Sequence, residues 1–362
     1  MQQRSNNQSL ALQSRLQCYG KNFRWLGLLL ALSLWSQGLA QDTVPPPAKP
    51  SPTQTSTPQQ RMPDTVELSS ELVALDVAVV DQANHPVSTL KQEDFTVYED
   101  NVRQRISFFS EEEAPASIGL VIDTSRSMAP KLNEVIAAAL RLIRESHQED
   151  EFFVVEFKAE AELIQDFTKN IDEIEDALND LVAHGQTALL DAVYLSVQHA
   201  QKHGKHRRKA VVLITDGEER DSYYTEKQIM EALRESDVQV YVIGFTQGLD
   251  ADRYNIFRGT GKRKLGRREK RARNLLDDLA EVTGGRAFYP ESLSQLDPIA
   301  QTIARDLRTQ HIIGYYPTNA ERDSTWRSVR VEVKPDAKGN KRIARARSGY
   351  YAAAITGSKK PR

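Results

Sequence analysis

Ser117-Ile118-Gly119-Leu120-Val121-Ile122-Asp123-Thr124-Ser125-Arg126-Ser127-Met128 decides the reading of this chain. The first half is a continuous apolar, β-rich run, the pattern of a strand buried on both faces as in a parallel sheet. A carboxylate and two hydroxyls follow at alternate positions, Asp123, Ser125 and Ser127, just beyond the carboxyl end of the run. Open α/β sheets place their ligand crevices at that end. An acid with two alcohols is a hard oxygen set, suited to Mg²⁺ or Mn²⁺ rather than zinc.

Two later stretches complete the set. Gly185-Gln186-Thr187-Ala188-Leu189-Leu190-Asp191-Ala192 offers a hydroxyl, Thr187, at the start of an apolar helix. Val211-Val212-Leu213-Ile214-Thr215-Asp216-Gly217 is a second buried-strand run ending in a second carboxylate. Taken singly, these residues also fit helix caps, Asp123 and Ser125 for one helix and Thr187 for the next. Taken in order, DxSxS, then GxT, then TDG after a strand resembles the metal-ion-dependent adhesion site of von Willebrand factor type A domains. The resemblance implies that Asp123, Ser125, Ser127, Thr187 and Asp216 surround one Mg²⁺ (or Mn²⁺ or Ca²⁺). Its hydroxyls bind the ion directly or through water, its aspartates hold waters on the ion, and one position stays open for a partner's Asp or Glu. It further implies a non-catalytic protein-binding module whose rim, Arg126, Glu218, Glu219, Arg220 and Asp221, selects the partner. Ordinary solvated charge is the other reading of those five.

The remaining sequence frames this centre. With 362 residues and a formal net charge of -2, the chain has room for two domains and no global field favouring nucleic acid or an anionic surface. Its single cysteine, Cys18, excludes a disulfide framework and CxxC metal sites. Residues 1–40 read as a cleavable signal peptide: Arg15, Lys21 and Arg24, an apolar stretch from Trp25 to Trp35, and small residues at Gly38-Leu39-Ala40. Export to a secreted or periplasmic location follows; an uncleaved anchor is the alternative, for which the apolar stretch is short. Residues 41–65, dense in Pro, Thr, Ser and Gln, read as an extended linker.

Residues 115–309 alternate strand and helix patterns, as a mainly parallel sheet with helices on both faces requires. Residues 66–114 and 310–352 are β-rich, and three short strands cannot bury two faces alone. The expected fold is therefore α/β, a doubly wound, Rossmann-like sheet inserted in or flanked by a small β-sandwich made from both flanks. The flanks themselves, PVxxLxxxDFxVxED before and GYYP…VRVEV…ARSGYYA after, resemble those of secreted bacterial type A proteins. Residues 353–362 are a polar tail.

Other features point to other chemistries. His199, His203 and His206 have zinc-like spacing, but no HExxH glutamate accompanies them and Lys202, Lys205, Arg207 and Arg208 repel a cation. Residues 253–273 hold ten basic residues against one acid, Glu269, and read either as a solvated insertion or as a polyanion contact. Tyr315, Tyr316, Tyr350 and Tyr351 read as strand packing rather than a binding stripe. A phosphoryl-transfer enzyme of the haloacid dehalogenase kind needs a second Asp two residues after the nucleophile, where this chain has Ser125. A β-rich protein with a vestigial metal site is the remaining alternative.

Overall fold

The computed structural model describes residues 71–83, 85–111, 113–245 and 266–353. The expected signal peptide, the linker and residues 253–265 of the basic stretch lie outside them. The chain opens with β1 (Val73–Val80), β2 (Phe95–Glu99), β3 (Val102–Gln104) and β4 (Ile106–Ser110). A strand-and-helix series follows: β5 (Ala116–Asp123), α1 (Leu132–Glu145), β6 (Glu151–Phe157), β7 (Ala161–Thr168), α2 (Ile171–Asn179) and α3 (Leu189–His203). It continues with β8 (Arg208–Thr215), α4 (Glu226–Glu235), β9 (Val238–Gly244), α5 (Arg267–Thr283), β10 (Ala287–Phe288) and α6 (Leu296–Arg308). β11 (His311–Tyr315), β12 (Trp326–Val333), β13 (Ile343–Arg345) and β14 (Gly349–Tyr351) close the fold.

The middle series builds a six-stranded sheet in the order β10-β9-β8-β5-β6-β7, parallel except for the antiparallel edge strand β7. Every residue of β5 and of β6 is buried, which is why Ile118–Ile122 reads as a continuous apolar run and β6 is apolar apart from the buried Glu151 and Glu156. Alternation sorts their side chains between two cores. Ile118, Leu120, Ile122, Val212 and Ile214 face α1, α2 and α6, whereas Val121, Val211, Leu213 and Phe153 face α3, α4 and α5. α1 meets its core through Leu132, Val135, Ala139, Leu142 and Ile143, spaced for one helical face. At Gly119 the bare backbone admits the neighbouring Phe153 ring, since a Cβ there would stand 2.2 Å from it.

The flanks combine into two antiparallel four-stranded sheets, β13-β1-β11-β4 and β14-β12-β2-β3. Each mixes strands from before and after the parallel sheet: β1 pairs with β11, and β2 pairs with β12. Val73, Leu75, Val77, Phe95, Val97, Ile313, Tyr315 and Val329 from both sheets share one core. The fold class is thus α/β, a doubly wound and mostly parallel sheet set into a small β-sandwich. Buried Glu99 organises the sandwich interior, its Oε2 accepting from the hydroxyls of Tyr315 and Tyr350, each at 2.8 Å. Tyr315 and Tyr350 are packing residues, as expected; Tyr316 and Tyr351 are exposed, and Tyr351 lies edge-on to Trp326.

Arg208 sits where the two parts join. It is 4% exposed, and its guanidinium donates to the carbonyls of Ala114, Leu307, Arg308 and Gln310. Those carbonyls lie on the two crossings between sandwich and parallel sheet. Asp76 of β1 pairs with the adjoining Arg207 and, at 3.9 Å, with Arg208.

The last third of the basic stretch is helical: α5 begins at Arg267. No apolar period marks Arg267–Arg273. Glu269 instead turns back to the Gly266 N–H at 2.6 Å and closes the first turn. Arg271 pairs with Glu226 of α4 at 2.8 Å, and Arg267, Arg268 and Lys270 are exposed. Among the described residues, no helix is long and apolar enough to cross a membrane.

Candidate metal-binding site at the carboxyl edge of the parallel sheet

β5 and β8 are direct neighbours, with Ile122 opposite Ile214. That register sets Asp123 beside Thr215 and brings Asp216 next to it one residue later. Asp123 is fully buried. Its Oδ1 accepts from the Ser125 N–H at 2.9 Å, and its Oδ2 accepts from the Thr215 hydroxyl at 2.7 Å. The first bond folds Asp123–Ser125 into a tight local turn. Met128, fully buried, anchors the far end of the loop. Ser125 and Ser127 meet at 3.1 Å between hydroxyls, Ser125 buried and Ser127 exposed.

Hydrogen bonds tie the three loops into one edge. The His184 N–H donates to the Thr124 carbonyl at 2.7 Å, and the Arg126 N–H to the Gly185 carbonyl at 3.4 Å. The Thr187 carbonyl accepts from the Arg220 and Asp221 N–H groups at 3.1 and 3.3 Å. Gly185 and Gly217 take φ of 83° and 77°, the left-handed region that only glycine enters without strain, and they turn the second and third loops back toward the first. Thr187 is buried at the bend between the other two loops.

The capping alternative finds no support here. Ser125 precedes the short turn Arg126–Met128 without a side-chain cap bond, Lys131 holds the cap position of α1, and Ala188 that of α3. The donor set is two carboxylates and a group of alcohols, which fits a hard divalent cation. The electrostatics agree. Burial, followed by the charge of Asp216, pushes the Asp123 carboxyl up to about 6, against the hydrogen bonds from Ser125 and Thr215. A cation beside the pair would reverse that shift. Among the described residues, neither aspartate has an ion pair with a protein cation, and no three His, Cys, Asp or Glu side chains group as metal ligands.

Around this edge, Arg126 and Asp221 are exposed, and Glu218 pairs with Arg220 at 2.8 Å on the surface. Glu219 departs from the rim expected of it. Its Oε1 accepts from the Ser222 N–H, and its Oε2 from the Leu190 N–H and the Ser222 hydroxyl, all at 2.8–3.0 Å. Glu219 is therefore a brace joining the third loop to the start of α3. Thr215, which the sequence reading passed over, is the buried donor that orients Asp123; its place in the TDG motif was the available signal.

The ring of His203 lies 4.8 Å from that of His199, and His206 is used apart from both. His199 stacks on Phe167 and meets Asp166 at 2.9 Å, while His206 lies against the Glu149 carbonyl. Burial lowers the His199 pKa.

An α/β sheet with polar loops gathered at the carboxyl edge of its central strands matches the architecture of one domain class. Residues 118–219 match the model of the von Willebrand factor type A domain, and this chain carries such a domain. A cow protein, inter-alpha-trypsin inhibitor heavy chain H4 of Bos taurus, is 25% identical over 240 residues, 61% of this chain and 24% of that protein. An uncharacterized protein of Synechocystis is 34% identical over 107 residues, 29% of this chain and 26% of that protein. The chain spans about a quarter of the length of the curated relatives it matches. Among solved structures, BatB of Bacteroides thetaiotaomicron matches with TM-score 0.40 and 18% identity over 53% of this chain and 98% of that one. Proximal thread matrix protein 1 of the mussel byssus, described with a zinc-occupied MIDAS motif, matches with TM-score 0.42 and 18% identity over 58% and 49%.

Proposed function

We propose that this protein is an exported, metal-dependent protein-binding module. Asp123, Ser125, Ser127, Thr187 and Asp216 hold a divalent cation, Mg²⁺ foremost, with Mn²⁺ or Ca²⁺ as substitutes. A cation held there would supply Lewis acidity toward an Asp or Glu carboxylate of a protein ligand. The chain's own residues do the rest. Thr215 and the Ser125 N–H aim Asp123, Gly185 and Gly217 shape the loops, and Arg126, Glu218, Arg220 and Asp221 form the surface the ligand meets.

The observation that carries this reading is the buried Asp123 facing Asp216 with no protein cation paired to either among the described residues. A buried carboxylate beside a second one is unfavourable until a positive charge joins them. The basic, then apolar, then small-residue opening of the sequence supports export. The reading includes no catalysis, because the position a general acid needs in the related Asp-dependent phosphoryl chemistry is Ser125, an alcohol bonded to Ser127.

The test is a titration of thermal stability with MgCl₂, MnCl₂ and CaCl₂ after chelator treatment. Saturating ion at about 100 times its Kd adds about 2.7 kcal/mol. Asp123→Ala removes that gain. A wild-type midpoint unmoved by all three ions refutes the reading.

A further inference from the structure

We propose, resting on the metal-dependent reading above, that Tyr223 is a contact residue for the protein ligand. It selects an acidic side chain that has an aromatic or large apolar neighbour. Tyr223 and Tyr224 are adjacent in sequence but used differently. Tyr224 packs against the core beneath α3 and lies 4.2 Å, centroid to centroid, from Tyr194. Tyr223 stands edge-on to Tyr224 at 5.3 Å and 89°, with 56% of its surface exposed.

Tyr223 is held, not loose. Its N–H donates to Asp191 Oδ2 at 2.9 Å, and that of Tyr224 to Oδ1 of the same carboxylate at 3.0 Å. Ser222, just before it, is clasped by Glu219 and accepts from the Leu190 N–H at 3.0 Å. The loop is bonded to the metal site itself, through Arg220 and Asp221 to the Thr187 carbonyl. A rigid, exposed aromatic costs little entropy on contact, which is why tyrosines dominate binding surfaces. On the other flank of the site, Val182 is 65% exposed two residues before His184, whose N–H reaches Thr124. Between them the charged rim is partly self-neutralised by the Glu218–Arg220 pair. The loop tied to Thr187 therefore offers a held aromatic ring beside charges that are partly paired with each other.

The experiment uses the full-length chain and arrayed synthetic peptides with a central Asp, flanked by Tyr, Phe or Leu in one set and by Ser in the other. The Mg²⁺-induced rise in melting midpoint is measured on the same proteins. Wild type with Mg²⁺ retains the apolar-flanked set about tenfold better than the Ser-flanked set. Tyr223→Ser keeps the Mg²⁺-induced rise and the Mg²⁺-dependent capture but loses the preference, and Tyr223→Phe keeps all three. Mg²⁺-dependent capture blind to the flank in wild type, a preference surviving in Tyr223→Ser, or its loss in Tyr223→Phe overturns the inference and leaves the metal reading standing. Absence of any Mg²⁺-induced rise in wild type overturns both.

Discussion

Asp123 concentrates the chemistry of this molecule in one side chain. Its carboxyl rises from 3.8 to about 6 on folding. The fold thus prefers it protonated: that contribution to stability is complete below pH 3.8 and is lost as pH climbs through about 6. In chelator, wild type should lose roughly 1–2 kcal/mol relative to Asp123→Asn between pH 5 and pH 8. Parallel denaturant titrations of the two proteins read this difference directly, and a pH-independent gap contradicts it. Divalent ion should invert the trend, since it binds the ionised carboxylate and competes with the proton. Thr215 belongs to the same account. Thr215→Val deletes the donor to Asp123 Oδ2 and leaves that oxygen buried without its bond, which costs about 1–3 kcal/mol. It should also weaken the Mg²⁺-induced rise in melting midpoint; an unchanged rise means Thr215 does not position Asp123.

The strands and helices were legible wherever burial imposes a period. β5 and β8 announce themselves by the apolar runs Ile118–Ile122 and Val211–Ile214 because both of their faces are covered, and α1 by its single buried face. Where local hydrogen bonding replaces hydrophobic pattern, the sequence said less. α5 starts at Arg267, inside the basic stretch, because Glu269 closes its first turn among arginines. Glu219, in GEER, read as a rim residue or as solvated charge, yet its oxygens are spent on Leu190 and Ser222. At β5, Gly119 makes a sharp prediction. Gly119→Ala drives a methyl group into the Phe153 ring and should destabilise by about 1–3 kcal/mol. In a Phe153→Leu background the same change should cost clearly less, and a double-mutant cycle of chemical denaturation measures that coupling.

At the scale of the whole chain, the joint between sheet and sandwich is the least legible feature. HRRKA reads as exposed charge beside three histidines, whereas Arg208 is buried and bonds the carbonyls of both crossings. Arg208→Met should cost about 3–5 kcal/mol, because it strips charged donors from buried carbonyls. Limited proteolysis should then cut near residues 113–115 and 308–311 first; an unaltered fragment pattern means the clamp is dispensable. The pairing of the two β-rich flanks was, by contrast, readable from what each lacks: neither has enough strands to bury two faces. β11 lies between β1 and β4, so a chain ending at Arg308 leaves those two strands without the one that joins them.

The polar loops open at the carboxyl ends of β5 and β8, while both crossings to the sandwich leave near the amino ends of those same strands. A tether pulling on a captured ligand would therefore load the parallel strands lengthwise. Their seven-rung ladder, from Ala116 opposite Arg208 to Ile122 opposite Ile214, lies along that pull, so no single rung would be peeled open first. Under the proposed metal-dependent reading, the ligand would come away from the loops before the sheet opened.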